Sequence, residues 1–260
     1  MEVRKPGDKI RRLMTKERNI RLTVAFEGTS YHGWQIQPDL PTVQGLLSEA
    51  IGRVTGEQVT VNGSGRTDAG THARGFVANF TTGSRIAPVQ LVRALNRVLP
   101  RDVRVLSARQ MPHGFHARRD AFSKVYRYQI FLGRVMLPHL AREYFHFPYK
   151  IDLEKMKNAT HQFVGEHDFA SFAKAGSPVS STVRRIFRCE LRKRGHHLLL
   201  TVEGNGFLHH MVRNMAGTLL EVGTGSISLS DFQQLFLVRD RTLAGFTAPA
   251  HGLVLLKVQY

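Results

Sequence analysis

Apolar residues recur along this chain at two spacings, and the spacing predicts most of its elements. Near the N-terminus Arg21-Leu22-Thr23-Val24-Ala25-Phe26 has the alternating character of a strand and stops at Glu27-Gly28-Thr29. From Thr42 the period becomes helical. Leu46, Leu47, Ala50, Ile51 and Val54 fall at helical spacing, Thr42 offers a capping hydroxyl, and Gly56 ends the run. Residues 59–61 and 76–80 read as short strands, and residues 88–99 as a second helix closed by Pro100. A second series follows. Residues 125–131 are rich in β-branched and aromatic side chains and read as a strand. Residues 152–164 read as a helix ended by Gly165, and residues 198–202 as a strand after the turn Gly195-His196-His197. Residues 207–222 form the longest predicted helix, with Phe207, Met211, Met215 and Leu219 spaced for burial. Ser230 and Gln233 suggest a capping box for a last short helix, and residues 253–258 a closing strand.

This order favours an α+β fold: two α/β halves with a mostly antiparallel central sheet flanked by helices, and an active-site cleft between the halves. The expected division is a flexible basic tail over 1–18, an N-terminal half over 19–110 and a C-terminal half over 111–260. The halves lack obvious self-similarity, so no repeat is assigned.

Composition narrows the partners. The 260 residues suit one large domain or two compact halves, and the hydrophobic share of 42% is enough for a full core. Lys and Arg number 37 against 20 Asp and Glu, a net charge of +17. Such an excess suits a polyanion, because neutralising phosphates releases condensed counterions. A merely soluble basic protein, or one resting on an anionic membrane, is the alternative on charge alone. Cys189 is the only cysteine, which excludes an intrachain disulfide and a multi-thiolate metal site; a packed thiol is the expectation there. No apolar run approaches the roughly 18 residues of a membrane span. Basic residues interrupt the N-terminal segment where a signal peptide would be apolar, so a cytoplasmic protein is expected.

The chemistry concentrates between two predicted strands, in Asn62-Gly63-Ser64-Gly65-Arg66-Thr67-Asp68-Ala69-Gly70-Thr71-His72-Ala73. Its Gly-x-Gly is no dinucleotide fingerprint, since a strand rather than a helix follows, and no Gly-Lys-Ser/Thr phosphate loop is present. A hairpin loop whose Asp68 caps its own backbone is the plain reading. The alternative is a nucleophilic carboxylate. In an extended segment Arg66 and Asp68 share a face, where the guanidinium would favour the charged carboxylate.

Gly65-Arg66-Thr67-Asp68-Ala69-Gly70-x-His72-Ala73 closely resembles the signature of the tRNA pseudouridine synthase A family. Further matches follow in family order: Tyr31-His32-Gly33-Trp34-Gln35-x-Gln37, Phe115-His116-Ala117-Arg118, Lys124-x-Tyr126-Arg127-Tyr128, Gly206-Phe207-x-x-x-Met211-Val212-Arg213-Asn214 and Ala248-Pro249-Ala250-x-Gly252-Leu253. The resemblance runs from about residue 20 nearly to the end. It implies isomerisation of uridine to pseudouridine in the anticodon arm of tRNA, about positions 38 to 40, by a homodimer that needs no cofactor and no metal. Residue by residue, it makes Asp68 the catalytic carboxylate. Arg66 becomes its partner and an aid to base extrusion, Tyr126 the ring that stacks on the target base, Arg213 a second ion-pair partner, and Leu253 an apolar wall. Thr71 and Arg74 depart from the family's usual apolar residues without removing a catalytic group.

Other clusters are read more plainly. The histidine pairs His196-His197 and His209-His210, and His113-x-x-His116, lack convergent carboxylates at ligand spacing along the chain, so no metal site is assigned to them. Tyr128 and Trp34 are expected to support the fold. Arg118-Arg119 and Arg184-Arg185 are candidate phosphate contacts. Two rivals stay open: an RNA-binding protein without catalysis, which retention of Asp68 disfavours, and an RNA hydrolase built on the histidines, which would leave cleavage products. Binding of tRNA is expected to weaken by orders of magnitude between about 50 and 200 mM salt in a filter-binding assay. A flat response would remove the argument from charge.

Overall fold

The computed structural model describes residues 17–176 and 179–260. Nearly all of the tail expected over 1–18 therefore lies outside the described residues.

Among the described residues ten strands form one sheet: β1 (Arg18–Phe26), β2 (Asn62–Gly63), β3 (His72–Thr82), β4 (Val103–Met111), β5 (Ser123–Phe131), β6 (Phe145–His146), β7 (Gly165–Asp168), β8 (Val183–Arg194), β9 (His197–Gly204) and β10 (Leu253–Gln259). Their order is β4-β1-β3-β10-β5-β9-β8-β7, with β2 beside β3 and β6 beside β5. Among the described residues the α-helices are α1 (Val43–Thr55), α2 (Pro88–Val98), α3 (Leu153–His161), α4 (Met211–Thr224) and α5 (Leu229–Val238). The fold is thus mixed α+β on a large, mostly antiparallel sheet. Along the main path of the sheet the parallel contact is β3 with β10, where Val254 pairs with His72 and Leu255 with Ala73. Strands from early and late in the chain join at this seam.

Alternation explains the layers. Ile20, Leu22, Val24 and Phe26 of β1 are buried, whereas Arg21, Thr23 and Ala25 between them are only partly covered. Leu198, Leu200 and Val202 of β9 repeat the pattern. Trp34 stacks on Phe76 at 4.1 Å between ring centres and is 2% exposed, the supporting role expected of it. Near α5, Phe163 meets Phe172 and Phe232 edge-on, each at 5.2 Å. Cys189 is a buried free thiol, its pKa raised by that burial and then by the Glu190 charge.

Several elements depart from the periodicity reading for identifiable reasons. Residues 59–61 form no strand; the pairing shifts to Asn62 and Gly63, opposite Asn79 and Ala78. The long strand β8 was hidden because a bulge between Ile186 and Arg188 breaks its alternation amid six basic residues. In β4 only Val103 and Val105 are buried, so most of it carries no apolar signal. The last helix is capped by Ser228, whose hydroxyl accepts from the Asp231 N–H, and not by Ser230. Helix α4 begins at Met211, not at Phe207, after His210 adopts a left-handed conformation at φ 63°.

One close approach fixes the position of α4. A Cβ on Gly217 would lie 1.8 Å from the Phe246 carbonyl oxygen, so the segment after α5 lies directly on the helix backbone. The Gly245 N–H of that segment donates to the Thr218 hydroxyl oxygen (3.0 Å), and its Ala248 N–H donates to the Arg213 carbonyl (3.3 Å). Gly217→Ala is expected to lower stability by about 1–3 kcal/mol or more in urea unfolding. An unchanged midpoint would mean that the strap moves away without cost.

Candidate active site

Asp68 lies in the loop between β2 and β3, and that loop is fastened from several sides. The Trp34 N–H donates to the Thr67 carbonyl at 3.2 Å, and the Gly70 N–H to the Tyr31 carbonyl at 3.3 Å. Gly33, at φ 83°, has no room for a Cβ, which would fall 2.3 Å from the Thr67 carbonyl oxygen. His72 anchors the start of β3. Its Nδ1 accepts from the Gly28 N–H at 2.9 Å, which leaves Nε2 to donate to the Arg142 carbonyl at 2.8 Å. The Tyr31-His32-Gly33-Trp34 segment is therefore the scaffold of the Asp68 loop.

The carboxylate of Asp68, 18% exposed, faces the start of α4. Arg213 Nη1 donates to Oδ2 at 2.7 Å, and Arg213 Nε donates to the Ala248 carbonyl at 2.8 Å. The guanidinium is thus held at one end by Asp68 and at the other by the strap that packs on Gly217. His209 Nε2 lies 3.3 Å from Oδ1, and His210 Nε2 lies 3.6 Å from Oδ2. The expectation that these histidines lack a carboxylate is overturned: the partner is Asp68, brought in from the other end of the chain. Three possible ligand atoms from Asp68, His209 and His210 lie within 4.8 Å of one another. Arg213 opposes a cation there, since its guanidinium already holds Oδ2.

Burial pushes His210 down to about 4, against the upward pull of Asp68 and with the help of Arg213, His209 and Lys174. Its imidazole is neutral at neutral pH. Tyr126 is 8% exposed and packs edge-on to Phe207 at 5.1 Å. Burial, and then the charge of Asp68, raises its hydroxyl pKa well above the ordinary value, so the phenol keeps its proton. Tyr128 is fully buried and donates to the Pro249 carbonyl at 2.7 Å. Leu253, 7% exposed, opens β10 opposite Tyr128.

Arg66 behaves differently from expectation. It is exposed, and among the described residues no ion pair joins it to Asp68. Residues 66–68 lie outside β2 and β3 with Thr67 buried, and it is Arg213 that takes the Asp68 carboxylate while the Arg66 side chain is left to solvent. Of the predicted site residues, Asp68, Tyr126 and Arg213 converge, Leu253 borders them, and Arg66 stands at the rim. His209 and His210 were the missed members. Their signal was position: they immediately precede the helix that carries Arg213.

A family model described as tRNA pseudouridine synthase matches residues 22–120 and 159–260. The chain is 44% identical over 243 residues to the tRNA pseudouridine synthase A of Caldicellulosiruptor saccharolyticus, covering 94% of this chain and 100% of that one. It is likewise 44% identical over 245 residues to the protein of that name from Citrifermentans bemidjiense, covering 94% and 98%. With the Clostridium kluyveri protein of the same name it shares 43% over 244 residues, 94% and 100% of the two chains. The resemblance drawn from the motifs is thereby matched along almost the whole length.

In a pH titration followed by imidazole NMR, His210 is expected to titrate near 4 and not near 6.5. The unfolded chain takes that proton first, so stability should fall as pH drops from about 6.5 toward 4 and hold above it. A His210 signal titrating near the ordinary value would show that burial does not govern this ring.

Proposed function

The chain belongs to the tRNA pseudouridine synthase family, and on that premise we propose that Asp68 is the carboxylate with which it isomerises uridine in the tRNA anticodon arm, about positions 38 to 40. The observation that carries this reading is the held carboxylate. One Asp68 oxygen is fixed by Arg213, and the Asp68 charge together with burial keeps the proton on Tyr126, a buried aromatic ring.

The reaction breaks the C1′–N1 bond, turns the base and joins C1′ to C5; N1 gains a proton and C5 loses one. Atoms and electrons balance within the nucleotide. Asp68 can attack C1′, attack C6 or take a ribose proton, and each first step needs a carboxylate fixed beside the sugar and base. Extruding the uridine costs a few kcal/mol, and stacking on Tyr126 returns about 1–3 kcal/mol. Leu253 supplies an apolar wall. Arg66, at the exposed rim, is read as a group that enters the RNA during extrusion and not as the carboxylate's partner. His210, being neutral, limits the positive charge around Asp68 to what orients it. The two α/β halves meet at the β3–β10 seam, and the cleft over that seam is read as the tRNA site. A homodimer that shares one tRNA, working in the cytoplasm, completes the reading. Among the described residues no helix is long and apolar enough to cross a membrane.

The test is pseudouridine mapping by carbodiimide-stop primer extension on unmodified tRNA. Asp68→Asn is expected to abolish the anticodon-arm stops while tRNA still binds; retained turnover would refute the role of Asp68. Tyr126→Ala should slow turnover more than it weakens binding, and an unchanged rate would count against stacking. Sedimentation of the wild type with and without tRNA reads the dimer.

A further inference from the structure

Beyond the residues around Asp68, an aromatic pair lies open to solvent. Phe122, 66% exposed, and Phe187, 38% exposed, stack with ring centres 5.5 Å apart and planes 9° from parallel. Phe187 backs one face of the Phe122 ring, so the other face and the edges account for its exposure. Two large apolar rings in water cost free energy unless something covers them.

Cations stand close to the pair along the chain and in strand register. Phe122 stands two residues before Lys124, and Phe187 three residues after Arg184. Lys124 is in register with Gly204 of β9, which in turn faces Ile186 of β8. Lys124 also reaches the Asp68 loop: a Cβ on Gly65 would lie 3.3 Å from its Nζ. Arg184 crosses beside Gly206, whose Cβ position is 3.6 Å from the Arg184 Nε, just before the Phe207 that abuts Tyr126. Among the described residues no carboxylate lies within 4 Å of Lys124, Arg118 or Arg184. Neighbouring Arg188 and Arg192, by contrast, are paired with Glu190 and Glu203. Burial first, and then Arg118 and Arg184, hold Lys124 down at about 8, as expected of cations gathered without a counter-charge.

We infer that Phe122, backed by Phe187, is a second base-stacking platform, and that Lys124 and Arg184 hold the phosphate between that base and the target uridine. The occupant is an unpaired nucleotide of the tRNA flanking the modified position. Unmatched positive charge beside an exposed aromatic face is the combination that recognises single-stranded nucleic acid: every base has a stacking face, and the backbone needs cations. This inference rests on the tRNA substrate of the proposed function and adds a site to it. A flanking nucleotide held there would keep the loop open while the uridine is turned, so the platform acts in binding and not in bond-making.

The experiment uses the full-length protein and an anticodon stem-loop RNA. Trp34 is the only tryptophan and is buried, so Phe122→Trp places a single exposed indole at the platform. Its emission should be quenched by the RNA, and not by the same RNA with an abasic residue at the flanking loop position. Phe122→Ala should raise Kd and KM about 5- to 100-fold with kcat unchanged, and Phe122→Tyr should restore them. Arg184→Gln should reduce the slope of log K against log salt by about 1. Quenching that ignores the abasic substitution, or an unchanged Kd in Phe122→Ala, overturns the platform. So does loss of a dimer by Phe122→Ala in sedimentation, which would identify the cover as a second copy of the chain. These readouts are binding measurements, so they stand apart from turnover. A wild type that binds through the platform yet forms no pseudouridine would refute the proposed function and leave the platform intact.

Discussion

Asp68 and Arg213 stand 145 positions apart in sequence and meet at 2.7 Å, and much of the surrounding architecture serves to hold that pair. On one side the Asp68 loop is fastened to Tyr31, Gly33 and Trp34 and leads through His72 into β3. On the other, Arg213 projects from the first turn of α4 and is held by the Ala248 carbonyl of the strap on Gly217. β10 follows that strap and pairs in parallel with β3 at His72 and Ala73. The two supports of the ion pair are thus joined again by the sheet, four residues from the carboxylate. A half-buried pair of this kind is a poor source of stability, because desolvation cancels much of the attraction. Its value is positional.

The pair also explains the environment around it. A carboxylate with one oxygen held by a guanidinium leaves the other to face a substrate, and His209 stands beside that second oxygen. Burial keeps His210 neutral, so it adds bulk and polarity without a second full charge. Tyr126, buried above the sheet and protonated, offers a ring rather than a base. Chemistry confined to a held carboxylate and an aromatic surface matches a reaction that only moves a glycosidic bond within one nucleotide. On the inference drawn above, the basic, aromatic margin at Lys124 and Phe122 would extend the same logic outward, from the base that reacts to the chain that is kept open for it.

Strands and helices with clean periodicity are legible from the residues alone, because alternation and capping are local: β1, β3, β5, β9 and β10, and the helix between Thr42 and Gly56. The family and the candidacy of Asp68, Tyr126, Arg213 and Leu253 are legible too, since those depend on ordered motifs. What a local pattern cannot carry appears only once the chain is folded. A bulge erased the period of β8, and partial exposure erased that of β4. A left-handed His210 delayed α4 and turned both histidines toward a carboxylate far away in sequence. Of the two ion-pair partners that the motifs imply for Asp68, Arg213 is in place and Arg66 is not. Arg66 is near along the chain, but its side chain stands exposed at the rim and makes no ion pair with Asp68 among the described residues. Arg213 is remote along the chain, and the sheet seam and the strap on Gly217 bring it within hydrogen-bonding distance.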